Sequence, residues 1–214
     1  MTQTLTQLTA QVQSLFIDDG TRFTAATITA AVRQALKDFN AAAPQRLAET
    51  QDAVNGQYDY ELTDLNVMAI LDVLQEGADA AQEAHTPLPY SPYFEDGRAW
   101  IRLLTPLGSG TLIFRYSLPH TLSGLDGAVE STLNAWQDGV LVDGACYYAC
   151  LARAASRIET VNLNPDVPDP WQEIAALYQR AFNAGLALAG RPPAAQLPDS
   201  ACTRTWQDAF HQSP

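Results

Sequence analysis

Cysteine and histidine are the first side chains to test for chemistry, because their spacing decides whether they can hold a metal. Cys146 and Cys150 lie four residues apart in a segment with a helical pattern, so both thiols would share one helix face. Two thiols can begin a metal site, but no other Cys or His lies near them in the sequence. We therefore predict two buried cysteines and no metal. The histidines have no ligand spacing: His85, His120 and His211.

Catalytic motifs are the second test. Ser109 lies between two glycines, but the flanking segments have the pattern of two strands, and a nucleophile elbow needs a strand followed by a helix. Lys37 is the only lysine and no glycines precede it, so there is no phosphate-binding loop. An acidic pair such as Glu95 and Asp96 could act as general acid and base, but a stretch so rich in acids produces pairs by chance. The sequence predicts no enzymatic activity and no cofactor.

The charge balance limits the partners. The 214 residues include 24 acids and 12 bases, which gives a net charge of -12. Such a chain repels phosphate, so sequence-specific binding of nucleic acid and binding to an anionic membrane are both disfavoured. With 47% hydrophobic and 17% charged residues, the composition is that of a folded protein. The sequence has no apolar run long enough to span a bilayer, and no secretory signal is visible at its start.

The acids are also unevenly distributed. No base occurs between Arg46 and Arg98, whereas that stretch holds eleven acids. One interpretation is a solvated face. The other is an acidic surface that meets a partner or lines a channel. The candidates for that second role are Asp59, Glu61, Asp64, Glu95 and Asp96.

Helical patterns occupy both ends of the chain. Thr4 and Gln7 form a capping box ahead of a helix predicted over 5–16, and Thr24 is the predicted N-cap of a helix over 25–42. A third helix is predicted over 134–159. Small residues in it would permit close packing: Gly144, Ala145, Ala149 and Ala152.

The last long helix is predicted from an N-cap at Asp169 to Gly190. Its predicted buried face consists of Trp171, Ile174, Tyr178, Ala181 and Leu188.

The middle of the chain has β patterns. Residues 57–62 alternate polar and apolar side chains, and the apolar run 67–74 fits either strand or helix. Residues 100–104 and 111–116 flank a glycine-containing turn, which predicts a β-hairpin. Residues 75–97 are predicted to form a long acidic excursion.

Together these patterns predict an α+β fold that is mostly α: a helical bundle with an inserted β-hairpin or small antiparallel sheet. We predict that residues 1–190 form one domain with the β insertion at about 46–120 and that residues 191–214 form an extended C-terminal arm.

The C-terminal arm is rich in proline but carries two aromatic residues four positions apart, Trp206 and Phe210. Such residues are unusual in a disordered tail. One interpretation is a segment that folds back on its own domain or stays disordered. The other is an arm that docks on a neighbouring chain, with contacts from Arg191, Arg204, Trp206 and Phe210.

The order of these segments resembles the head-tail connector (adaptor) proteins of tailed bacteriophages over about residues 20–190. The segments that carry the resemblance are the alanine-rich helix ending at Lys37-Asp38-Phe39-Asn40, the strands Tyr58-Asp59-Tyr60-Glu61-Leu62 and Phe114-Arg115-Tyr116-Ser117, and the helix Val142-Asp143-Gly144-Ala145-Cys146.

The resemblance implies a structural protein of the virion neck, assembled in the host cytoplasm as a homo-oligomeric ring, usually of twelve subunits. Such a ring binds the portal protein, presents a platform to the next neck or tail protein, and lets genomic DNA pass through its lumen without specific binding. The C-terminal arm in such proteins commonly docks on the portal. Two other interpretations stay open: another neck or tail component, such as a stopper or tail-terminator, and a soluble acidic binding module.

Overall fold

The computed structural model describes residues 3–18, 20–76, 85–160 and 170–190. Along these residues, two helices precede a run of seven strands and two helices follow it. The helices are α1 (Leu5–Leu15), α2 (Ala25–Ala42), α3 (Ala135–Thr160) and α4 (Pro170–Ala189). The strands are β1 (Gln45–Asp52), β2 (Asp59–Leu65), β3 (Ala69–Gln75), β4 (Thr86–Pro87), β5 (Tyr90–Glu95), β6 (Arg98–Leu103) and β7 (Thr111–Leu118). The predicted α+β class, with antiparallel sheet between the second and third helices, is confirmed.

The first two helices begin at the residues that the sequence predicted. The side chain of Thr4 accepts a hydrogen bond from the amide of Gln7 at 3.3 Å, and the Gln7 side chain accepts one from the amide of Thr4 at 2.9 Å. The hydroxyl of Thr24 accepts from the amide of Thr27 at 3.2 Å. These bonds satisfy backbone donors that the first turn of a helix leaves without partners.

Small residues set the spacing of the helices. A Cβ atom placed on Gly144 of α3 would lie 2.7 Å from Cε2 of Phe182 and 2.8 Å from Cβ of Ala35. A Cβ atom on Gly185 of α4 would lie 2.7 Å from both methyl groups of Val140. Helices α2, α3 and α4 therefore approach one another more closely than larger residues would allow.

The buried face of α4 differs in part from the prediction. Trp171 and Tyr178 pack against the helical core as expected. Ala181 and Leu188 are exposed, and the fully buried positions of α4 are Ala175 and Phe182. The error arises because α4 carries alanine and leucine on almost every side, so the apolar pattern does not single out one face.

The strands form two antiparallel sheets, a four-stranded sheet in the order β1-β7-β3-β4 and a three-stranded sheet in the order β2-β6-β5. Alternate residues of both sheets share one apolar core, in which the rings of Tyr60 and Phe114 lie 5.7 Å apart. The sheets therefore pack face to face as a small sandwich. The apolar run 67–74, which fitted either strand or helix, lies mostly in strand β3. The predicted excursion over 75–97 includes strands β4 and β5, and residues 77–84 lie outside the described residues.

The predicted hairpin over 100–104 and 111–116 is wrong. Both segments are strands, but β6 pairs with β2 and β5, whereas β7 pairs with β1 and β3. Both edges of each strand are thus occupied by other partners. Their apolar residues meet across the sandwich in the shared core instead of along a common edge. The alternation predicted the strands correctly, but the choice of partner depends on distant segments.

The helices α1–α4, which we call the helical unit, and the sandwich bury separate cores. The chain links them through the end of α2 and the segment after β7. There the side chain of Asn40 accepts a hydrogen bond from the amide of His120 at 2.7 Å and donates one to its carbonyl at 3.2 Å. The His120 ring lies 5.5 Å from the ring of Phe39, and its Nδ1 lies 3.1 Å from the hydroxyl of Thr132.

Candidate functional site

The two thiols on α3 are enclosed by apolar side chains of the helical core. Cys146 and Cys150 are fully buried in the helical unit, as predicted. Burial raises the pKa of each thiol to about 12, so both are protonated at neutral pH. Within the described residues, no group of three or more His, Cys, Asp or Glu side chains is placed to hold a metal ion.

Two of the three acids of strand β2 are paired with arginines that follow them in the sequence. Asp59 accepts two hydrogen bonds from Arg102, at 2.8 and 2.9 Å, and Glu61 forms an ion pair with Arg98. The hydrogen bonds from Arg102 lower the pKa of Asp59 below its ordinary value. A third pair, Asp72 with Arg115, joins β3 to β7 at 3.6 Å. The base-free stretch of sequence is therefore partly neutralised in the fold.

Asp64 and Glu49 connect the two sheets. The hydroxyl of Tyr116 on β7 donates a hydrogen bond to Asp64 on β2. Glu49 on β1 accepts hydrogen bonds from the amide of Thr63 at 3.0 Å and from its hydroxyl at 2.7 Å. Gln51 donates to the carbonyl of Glu61 at 2.7 Å. Side chains thus bridge the seam between β1 and β2, where no backbone ladder closes the sandwich.

Glu95 and Asp96 differ from the other three acidic candidates. They form the tip of the β5–β6 hairpin, where Asp96 and Gly97 both have positive φ, at 51° and 78°. This conformation is typical of a tight two-residue turn. Both acids are exposed, and neither has an ion pair or a side-chain hydrogen bond within the part of the chain that the structure describes. The structure therefore leaves these two carboxylates available to a partner.

Part of the exposed surface of α4 is an apolar stripe, two of whose residues, Ala181 and Leu188, were predicted to be buried. Leu177 and Leu188 are 62% and 58% exposed, and Ala181 and Ala184 between them are also exposed. The four residues are spaced by four, three and four positions, the spacing of a helix seam that packs against another helix. Phe182 holds the opposite side of α4 against α3, so the stripe is presented on a fixed helix.

The remaining predicted contact residues belong to the C-terminal arm. Arg191, Arg204, Trp206 and Phe210 lie outside the described residues. Their role in binding a partner stays a prediction. Of the helices that the structure describes, none is both long enough and apolar enough to cross a membrane.

Solved structures with a weak likeness to this chain include two from the necks of GTA particles. One likeness is to the neck of an empty GTA particle with C6 symmetry, at 11% identity and a TM-score of 0.32, covering 79% of this chain and 87% of the other. The other is to the neck of a native GTA particle with C12 symmetry, at 12% identity and a TM-score of 0.30, covering 80% of this chain and 86% of the other. No family model and no curated protein matches the chain. Likenesses at these scores do not establish a role.

Proposed function

We propose that this chain is a structural protein of the neck of a phage-like particle, where copies of it assemble into a ring between the portal and the next neck or tail protein. DNA passes through the lumen of that ring. The role needs no catalytic group, cofactor or metal. The proposal rests on the resemblance of the order of sequence segments to that of connector proteins, and on surface features of the fold.

The apolar stripe of α4 is the observation that carries the proposal. An apolar row with an exposed leucine at each end is costly to leave in water, and exposed apolar patches mark surfaces that bind other proteins. The alanines at the centre of the row, Ala181 and Ala184, would let a second helix approach closely. A face of this kind suits repeated lateral contacts between subunits.

The charge of the chain supports a DNA channel. At a net charge of -12, the protein surface and the DNA backbone repel each other, so DNA can slide through a lumen without being held. Specific partners would then be bound through protein–protein contacts. We assign the portal contact to the C-terminal arm, with Trp206 and Phe210 as its anchors, because buried aromatic side chains contribute strongly to such interfaces.

The stripe can be tested by replacing Leu177 and Leu188 with Gln in one variant. Both side chains are exposed, so the variant should keep the fold and the unfolding temperature of the wild type while losing its assembly. Val54→Gln is the matched control, because Val54 is also an exposed apolar residue but lies in the sandwich, after β1.

Light scattering at high protein concentration measures the mass of each species. We expect a wild type and a control that form the same multimer, and a double variant that is monomeric. A double variant that assembles like the wild type would show that the stripe is not a subunit contact. A wild type that stays monomeric would contradict the ring.

A further inference from the structure

The outer face of the four-stranded sheet contains a pocket with two arginines. Arg46 on β1, Asp72 on β3 and Arg115 on β7 line a cavity of about 340 Å³, with Leu71 and Ala48 beside them. We call Arg46, Asp72 and Arg115 the arginine socket. The sheet register places Arg115 directly between Ala48 and Asp72, and Arg46 lies two residues before Ala48, so the three residues of the socket project from the same face of the sheet.

The arginine socket has hydrogen-bonding groups without partners. Arg46 is exposed and has no ion pair in the described part of the chain. Arg115 has one ion pair, at 3.6 Å to Asp72 Oδ2, which is beyond hydrogen-bond distance. Oδ1 of Asp72 is buried and accepts no hydrogen bond. Two guanidinium groups with one distant carboxylate leave many donors open, and their planar geometry matches a further carboxylate.

The β5–β6 hairpin tip has the complementary chemistry. Glu95 and Asp96 are exposed carboxylates without ion pairs among the described residues. Phe94, the residue before Glu95, is 61% exposed, although Ala99, which is opposite it on β6, is buried. The tight turn at Asp96 holds the tip in one shape, so little conformational entropy would be lost on docking.

The arginine socket and the hairpin tip lie on different layers of the sandwich. The socket is on the outward side of the four-stranded sheet, because the alternate residues Leu47, Val73 and Phe114 face the shared core. The tip belongs to the three-stranded sheet. No ion pair links the two within the described residues of one chain. The guanidinium groups of the socket and the carboxylates of the tip thus each lack a partner that the other surface could provide.

We propose that the hairpin tip of one copy docks into the arginine socket of the next copy. The carboxylates of Glu95 and Asp96 meet Arg46 and Arg115, and the ring of Phe94 packs against Leu71. The two surfaces are different, so the contact between copies is head-to-tail. If the rotation from one subunit to the next divides a full turn evenly, the subunits form a closed ring. This inference rests on the proposed ring and names one of its subunit contacts.

Charge reversal tests the contact. Glu95→Arg and Arg46→Glu each replace attraction by repulsion, and each should weaken self-association by at least about tenfold. Neither residue has an ion pair among the described residues, so unfolding temperatures should stay close to that of the wild type. Asp52→Arg is the control, because Asp52 is an exposed acid at the opposite end of β1 from Arg46 and makes the same change of charge.

The decisive measurement is sedimentation of the two variants alone and mixed in equal amounts. In the mixture, every contact between unlike chains joins opposite charges, so we expect the mixture to assemble at a concentration where each variant alone does not. Single variants that assemble like the wild type would overturn the socket contact and leave the proposed ring standing. A mixture that stays monomeric would also overturn the contact. A wild type that is itself monomeric would contradict the proposed function.

Discussion

The helical unit and the sandwich are stabilised in different ways. In the helical unit, glycine and alanine allow α2, α3 and α4 to pack at short range, and the contacts at Gly144 and Gly185 leave no room for one more carbon atom. In the sandwich, an apolar layer is closed at its rim by polar side chains, with Glu49 bridging β1 to β2 and Asp59 pairing with Arg102. The first unit is therefore sensitive to volume, and the second to the loss of particular hydrogen bonds.

The largest effect is expected in the helical unit, from Gly144→Ala. The added methyl group would lie within 3 Å of both Phe182 and Ala35, so the helices must move apart. We expect a loss of about 1–3 kcal/mol in the free energy of unfolding, measured by denaturant titration.

Gly139→Ala is the matched control for that substitution. Gly139 lies in the same helix, and a Cβ atom there would meet nothing within 4 Å. Because alanine favours helix, the control should gain up to about 1 kcal/mol. Equal changes in the free energy of unfolding for the two variants would show that close packing at Gly144 does not limit the size of its side chain.

A smaller effect is expected at the seam of the sandwich, from Glu49→Gln. The carboxylate of Glu49 accepts two hydrogen bonds from Thr63, and an amide would keep one acceptor oxygen without the charge. We expect a loss of about 1 kcal/mol, with faster hydrogen exchange at the amide of Thr63. Unchanged exchange at Thr63 would mean that the bridge does not hold the seam.

The smallest effect is expected at the junction of the two units, through His120. Burial lowers the pKa of His120 below its ordinary value of about 6.5, so the folded state disfavours the protonated ring. The stability that the neutral ring provides is complete above that ordinary pKa and is lost as the pH falls towards the lower folded pKa. Over this pH range, the unfolding temperature of the wild type should therefore fall more steeply with decreasing pH than that of His120→Gln. Parallel pH profiles would contradict this assignment.

Local features of the fold were predictable from the sequence. The caps at Thr4 and Thr24 depend on residues three positions away, and the burial of Cys146 and Cys150 follows from the apolar composition of their own helix. Features that depend on distant residues were not. The partners of β6 and β7 are set by segments up to about 70 residues apart in the chain, which no local pattern encodes.

The candidate surfaces show the same limit. The acidic stretch indicated where carboxylates are abundant, but cross-strand pairing decides which of them are neutralised, so only the fold separates Glu95 and Asp96 from Asp59 and Glu61. The stripe on α4 was assigned partly to the core because leucine and alanine line both sides of that helix. Its exposure in the single chain is the observation that points to assembly.

Electron microscopy of the full-length wild-type chain, at the concentration where light scattering detects a multimer, tests assembly most directly. We predict closed rings with a central opening wide enough for duplex DNA to pass. The Leu177→Gln, Leu188→Gln double variant should show only single particles of monomer size. Compact monomers of the wild type at every concentration, or open filaments without a lumen, would contradict the proposed ring.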